Sequence, residues 1–341
     1  MVESHGPDAV TALHAERPDG GKSGVAPTGR LPLKIGLTPW DFSSLSAVSL
    51  SEQAVLAESL GYSSFWLPES HFNSHAIPDP LLLLAAVAAN TREIRLATTS
   101  YLLPLRNPLL AAEQVAVLDR LSGGRVILGV GRGYSRETLK AFAIDPVVKR
   151  ELFEWAYLLM LKAWRGDAVS LQEDGSAAVE VWPRPLQRPH PEVWVAAFGP
   201  KALDQAGRLG LPYLASPIET FDDLTLNLAR YDAARAAGGH APSTVRPVMR
   251  TVFVSNSPTT IQILRERLAT ISLPVGLKTS PQVDDWAILG DAHYVADKIS
   301  AYRETFGMSH LIVTRLRVEG VSAKELRESV VQIAQLVNPT G

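Results

Sequence analysis

Residues 109–130 read LLAAEQVAVLDRLSGGRVILGV, and this stretch decides the fold. Leu109 to Leu121 reads as a helix. Ser122-Gly123-Gly124 is a tight turn, and Val126 to Val130 is a short β-branched run of strand length. A helix that returns to a strand through so short a turn is half of a βα repeat. The same beat extends outward in both directions. Upstream, strands are predicted at Lys34 to Leu37, Ser64 to Leu67 and Ile94 to Thr98, with helices at Ser51 to Leu60 and Pro80 to Ala89. Downstream, strands are predicted at Val193 to Ala197, Pro212 to Ala215, Val248 to Val254 and Leu311 to Thr314. Helical windows at Glu151 to Trp164 and Lys201 to Leu209, and apolar faces such as Ile261/Leu264/Leu268 and Val295/Ile299/Tyr302/Phe306, fill the intervals. Eight strands alternating with helices predict an α/β fold, a (β/α)8 TIM barrel. The proline-rich stretch 168–191 is expected as an excursion before strand five, and Ser272 to Asp291, too long for an ordinary connection, as a lid after strand seven. Residues 1–30, without apolar periodicity, are expected to be a disordered tail, and 31–341 a single domain.

Composition excludes several functions. The chain has 341 residues, 46% of them hydrophobic, and a net charge of −2 from 33 basic and 35 acidic side chains. That balance gives no electrostatic footprint for nucleic acid or an anionic membrane, and no apolar run approaches a membrane span. No cysteine is present, which removes disulfides, thiolate metal sites and a cysteine nucleophile. No signal peptide is recognisable, so a cytoplasmic location is expected. Gly20-Gly21-Lys22-Ser23 lacks the opening glycine of a P-loop, and Gly129-Val130-Gly131-Arg132-Gly133 has Tyr134 where a dinucleotide fingerprint needs its third glycine. His71 and His75 have no third ligand at metal spacing, so no metal is expected.

A βα barrel carries its chemistry at the C-terminal ends of its strands. There the chain presents Glu69 and His71, suited to acid/base work or to orienting a cofactor, and Arg132 among glycines that let a phosphate approach closely. The segment Phe65-Trp66-Leu67-Pro68-Glu69-Ser70-His71-Phe72 resembles the signature of the bacterial-luciferase-like flavin monooxygenases. So do Glu113-Gln114, Leu118-Asp119-Arg120-Leu121-Ser122-Gly123-Gly124-Arg125 and Gly129 to Tyr134, with Leu289-Gly290-Asp291 further on. The resemblance runs from about Leu33 to Pro339.

It implies that Arg132 and Arg150 bind the phosphate of FMN, and that Phe198, Gly199 and Ala202 hold the same phosphate through backbone N–H groups at a helix start. It also implies a non-prolyl cis peptide at Thr99-Ser100 against the flavin ring, with Trp40, Phe42 and Tyr101 near the ring, and His71 with Glu69 as the catalytic pair. Ser70 stands where luciferase carries a histidine, which argues against light emission. The activity so implied is a monooxygenase: reduced FMN, supplied by a separate flavin reductase, and dioxygen act on a small organic substrate, in a protein of a kind that often forms homodimers. Two other readings stand beside it, an F420-dependent hydride-transfer oxidoreductase on the same barrel and a non-catalytic, subunit-like flavin binder.

Overall fold

The computed structural model describes residues 32–42, 46–172, 174–271, 282–314, 318 and 320–338; the expected N-terminal tail lies outside them. The strands are β1 (Lys34–Leu37), β2 (Ser64–Leu67), β3 (Arg95–Thr98), β4 (Tyr101–Leu102), β5 (Val126–Gly131), β6 (Glu192–Ala196), β7 (Tyr213–Leu214), β8 (Pro247–Val254), β9 (Ala287–Gly290) and β10 (His310–Thr314). The helices are α1 (Ala47–Ser59), α2 (Pro80–Asn90), α3 (Pro108–Leu121), α4 (Arg136–Ala141), α5 (Lys149–Arg165), α6 (Pro200–Arg208), α7 (Phe221–Ala237), α8 (Pro258–Ala269), α9 (Val283–Trp286), α10 (Ala292–Phe306) and α11 (Ala323–Val337).

Among the described residues the named strands all pair in parallel, in the order β7-β6-β5-β3-β2-β1-β10-β8-β9, with β4 added to β5. Ala215, just past β7, makes a parallel bridge to Val248 of β8. That bridge joins the two ends of the eight-strand path and makes it a ring, so the predicted barrel order holds. All eight residues of β8 are buried, as expected for a strand covered on both faces. Inside the ring, Trp66, Ala97, Ile127, Trp194, Leu214, Met249 and Ile312 form one cluster, with the two indole rings 5.2 Å apart. Outside it, Ile35, Leu37, Phe65, Leu67 and Leu96 meet the helices.

Local chemistry explains where the helices begin. Asp79 accepts from Leu82 N ahead of α2, Asn107 accepts from Leu109 N and Leu110 N ahead of α3, and Pro80 and Pro108 open those two helices. Thr220 and Asp223 form a reciprocal capping box on α7. At its far end α5 stops at Gly166, which takes a left-handed φ of 97°.

One expectation changes. Of the stretch expected as a lid, 272–281 lies outside the described residues, while Val283–Trp286 is a helical turn and Ala287–Gly290 a strand paired with the outer half of β8. The reason is burial: Trp286, Ala287 and Leu289 join Phe253, Ile261 and Leu264 in a core of their own. The excursion at 168–191 is held by Asp119, which is fully buried on α3. Its carboxylate accepts from Leu186 N at 2.7 Å, Gln187 N at 2.8 Å and Gln187 Nε2 at 2.7 Å. No helix of the described residues is long and apolar enough to cross a membrane.

Candidate active site

A cavity of about 950 Å³ opens at the C-terminal ends of the strands. Its lining includes Thr38 after β1, Pro68 to Ser70 after β2, Thr99 and Ser100 after β3, Gly131 to Tyr134 around the end of β5, Ala196 to Ala202 after β6, Leu214 to Pro217 around β7, Met249 on β8 and Thr314 on β10. Parallel strands feeding one face therefore gather residues that lie far apart in the chain.

The wall between β3 and β5 depends on glycine. A Cβ on Gly129 would stand 1.9 Å from the Thr98 carbonyl oxygen, and one on Gly131 2.1 Å from Ser100 Oγ. Only hydrogen at those positions lets the Thr99-Ser100 segment lie this close to β5. Thr99-Ser100 is a cis peptide, as the resemblance implied. Thr98 Oγ1 donates to the Gly129 carbonyl at 2.8 Å, fastening the two strands.

One end of the cavity is cationic. Arg132 is buried, with its Nε donating to Gln205 Oε1 at 2.7 Å and its Nη1 to the Ala196 carbonyl at 3.1 Å. Its guanidinium carbon lies 4.5 Å over the Phe153 ring. Burial and the neighbouring Arg150 push its pKa down to about 10, partly opposed by Glu154. Lys149 Nζ donates to the Gly133 carbonyl at 2.6 Å. Burial lowers its pKa too, reinforced by Arg150, Arg132 and Arg136. Among the described residues the Arg150 side chain makes no hydrogen bond or ion pair, and it lines the cavity. Glu154, which partly offsets the charge of Arg132, is engaged by Gln205 Nε2 at 2.8 Å and by Arg208. Helix α6 starts at this end: Gly199, with a left-handed φ of 82°, supplies no side-chain cap. Ala202 N turns back to the Gly199 carbonyl at 3.1 Å. Arg132, Lys149 and Arg150 thus stand together beside a helix N-terminus without a side-chain cap, an arrangement whose charge and dipole suit an anion.

Of the predicted catalytic pair, Glu69 lines the cavity and His71 does not. The Glu69 side chain is fully buried, and its Oε1 accepts from Arg106 Nη1 at 2.7 Å and contacts His71 Nε2 at 2.8 Å. Its Oε2 accepts from Leu102 N at 3.0 Å. The carboxylate thus touches the cavity wall but already holds three partners, one of them the backbone of β4. The His71 ring is turned to Glu69 and packs edge-on against Phe142 at 4.9 Å; it does not line the cavity, whereas Asn73 and His75 do. Trp40 and Tyr101 also lie off the cavity. Trp40 packs against the main core, with its N–H held by Gln53 Oε1 at 2.9 Å. Tyr101 is buried under Arg106, whose guanidinium carbon sits 3.9 Å from the ring centre, and burial raises its phenol pKa. Phe42, Thr99, Ser100, Phe198, Gly199 and Ala202 do line it, together with Arg132 and Arg150. Lys149, Met249 and Thr314 are lining residues that the sequence reading missed. Lys149 had one signal, its place beside Arg150, but a lysine at a helix start reads as a solvated side chain.

The barrel and its cationic strand-end site define a class of enzyme, and comparison with known proteins names the family. The profile of the luciferase-like monooxygenases matches residues 37–282. The chain belongs to that family. An uncharacterized protein of Sinorhizobium fredii is 38% identical over 191 residues, 53% of this chain and 56% of that one. Limonene 1,2-monooxygenase of Rhodococcus erythropolis is 31% identical over 151 residues, 43% of this chain and 39% of its own length. F420-dependent glucose-6-phosphate dehydrogenase of Amycolatopsis mediterranei is 32% identical over 222 residues, 61% of this chain and 64% of the other. The matches to the two Sinorhizobium fredii relatives span 56% and 57% of their lengths. Among solved structures, the oxygenating constituent of 3,6-diketocamphane monooxygenase from Pseudomonas putida, in complex with FMN, superposes with a TM-score of 0.73. That match covers 90% of this chain and 99% of the other at 22% identity, and it shows the fold.

Proposed function

We propose that the protein is the oxygenating component of an FMN-dependent monooxygenase, acting on a small, uncharged organic substrate. The observation that carries this reading is the charge distribution of the cavity. Arg132, Lys149, Arg150 and the N-terminus of α6 converge at one end, without a free carboxylate among them. A phosphomonoester carries between one and two negative charges near neutral pH, with three acceptor oxygens at a single point. Compact double charge facing three cations and a helix terminus is a match in both number and geometry.

The lining that comes from the ends of β1, β7, β8 and β10 is Thr38, Leu214, Ala215, Pro217, Met249 and Thr314. None of these side chains is charged, so this lining favours an apolar substrate with at most a hydroxyl or carbonyl to hydrogen-bond. Thr99 and Ser100 line the cavity between Gly131, next to Arg132, and Met249 on β8, and would offer a surface to an isoalloxazine ring held by its phosphate. When bound, reduced flavin supplies the electrons and the reaction with dioxygen. The chain's own contribution is to hold the phosphate, to shape the wall through Gly129 and Gly131, and to keep water from the uncharged lining. Glu69, with Arg106 and His71, serves as a positioning cluster that fixes β4 beside that wall. A flavin reductase as the source of reduced FMN, and pairing of two copies, belong to the same proposal.

The experiment is a parallel titration of the protein with FMN, riboflavin and F420, followed by oxygen uptake with chemically reduced FMN. Binding of FMN well above riboflavin and F420 supports the proposal. Preferential binding of F420 would assign the protein to hydride transfer, the chemistry named for the Amycolatopsis relative. FMN binding without any substrate-dependent oxygen uptake would favour a subunit-like flavin binder.

A further inference from the structure

We propose that the thioether of Met249 is an oxidation site built into the floor of the cavity, where it accepts one oxygen atom from a hydroperoxide. The chain has no cysteine and four methionines, so its oxidisable sulfur is all thioether. Three of the four lie among the described residues. Met160 on α5 and Met308 before β10 are sealed in the main core, 1% and 2% exposed. Met249 is also buried, at 5% exposed, but alone of these three it lines the cavity. It belongs to the cluster inside the ring, with Trp66, Trp194, Leu214 and Ile312. Its side chain therefore marks the boundary between packed floor and open space. The sulfur is located by a neighbour: Thr99 Oγ1 donates to Met249 Sδ at 3.2 Å, and Thr99 is itself a lining residue. A soft, polarizable sulfur is thereby held beside the Thr99-Ser100 segment of the lining.

The chemistry balances with hydrogen peroxide as the named oxidant. A sulfur lone pair attacks one peroxide oxygen, the O–O bond breaks and an S–O bond forms. Sulfur loses two electrons, and the proton on the transferred oxygen passes to the departing hydroxide, which leaves as water. The product is methionine sulfoxide, polar and chiral where the thioether was apolar. Its oxygen adds bulk and an acceptor next to the Thr99 hydroxyl, altering the floor on which a ligand would rest. The site requires only a peroxide small enough to enter the cavity, so it stands apart from the identity of the cofactor.

The test is a time course of the folded, full-length protein in dilute hydrogen peroxide, quenched, digested and read by mass spectrometry at each methionine. Met249 is expected to gain one oxygen at least about tenfold faster than Met160 and Met308, because susceptibility follows access. Equal rates at the three positions, or earlier conversion of Met160 or Met308, would overturn the proposal. Thermal unfolding provides a second readout. The melting temperature of the parent should fall as Met249 is converted, whereas that of Met249→Leu should be unchanged by the same treatment. An equal fall in both proteins would place the damage elsewhere and overturn the assignment.

Discussion

Replacing Arg150 with glutamine isolates the anion site from the fold. The Arg150 side chain has no hydrogen bond or ion pair among the described residues, so its loss strands no partner. It also depresses the pKa values of Arg132 and Lys149, so its removal relieves repulsion inside the site. Stability should therefore hold or rise slightly. A hydrogen bond to a charged group contributes about 1.5–3 kcal/mol, which is about 10- to 150-fold in a dissociation constant. Titrating both proteins with FMN, followed by flavin fluorescence, should show a loss in that range for Arg150→Gln. Riboflavin, which lacks the phosphate, should bind the two proteins equally. The phosphate gives up its second charge below about pH 6, so FMN affinity should fall with acid more steeply in the parent than in the variant. An FMN loss under about twofold, or an equal loss with riboflavin, would refute the reasoning.

Other perturbations test the walls. Glu69→Gln leaves Arg106 and the Leu102 N–H short of a carboxylate in a fully buried place; urea unfolding should show a loss of about 3–5 kcal/mol. Gly129→Ala sets a methyl group against the Thr98 carbonyl oxygen, so stability should drop by at least about 3 kcal/mol, checked by the same assay. Lys149→Met keeps the packed stem but removes a cation, and should weaken FMN by about 10-fold without changing riboflavin affinity. His310, at the start of β10, has its pKa pushed down to about 4 by burial and by Lys34, with Glu192 opposing. The unfolded chain then takes up its proton first as the pH falls. Stability is lost from about pH 6.5 down to about 4, on the order of 3 kcal/mol, and levels off below that for this group. His310→Gln should flatten that limb in unfolding curves measured across the range.

The alternation of β-branched runs and helical windows was enough to read the barrel. Each strand of the ring lies at its predicted place, because parallel strands buried on both faces must be continuously apolar. What escaped was β9, since Ala287-Ile288-Leu289-Gly290 is only four residues long and sits behind a polar stretch. Its burial depends on Phe253 and Leu264, partners that no local pattern reveals. At the site, Arg132 was legible because an arginine between glycines at a strand end has few structural reasons to be there. The Glu69 and His71 pair was legible as a cluster but not in its geometry. Two residues apart at a strand end, they were expected to face a ligand; Glu69 does line the cavity while Arg106, 37 residues further along, holds its carboxylate, and His71 lies off the lining. Met249 and Thr314 were invisible as lining because inward and outward positions on a wholly buried strand look alike in sequence.

The central claim is the place of a phosphomonoester between Arg132, Lys149, Arg150 and the start of α6. A crystal structure of the protein soaked with FMN tests it most directly. The account predicts phosphate oxygens within hydrogen-bond distance of Lys149 Nζ, the Arg150 guanidinium and the Gly199 or Lys201 backbone N–H at the start of α6, where Pro200 has no N–H and Ala202 N is turned to the Gly199 carbonyl, with the ring lying against Thr99-Ser100. A phosphate seated elsewhere in the cavity, or a flavin whose ring occupies the cationic end, would contradict it.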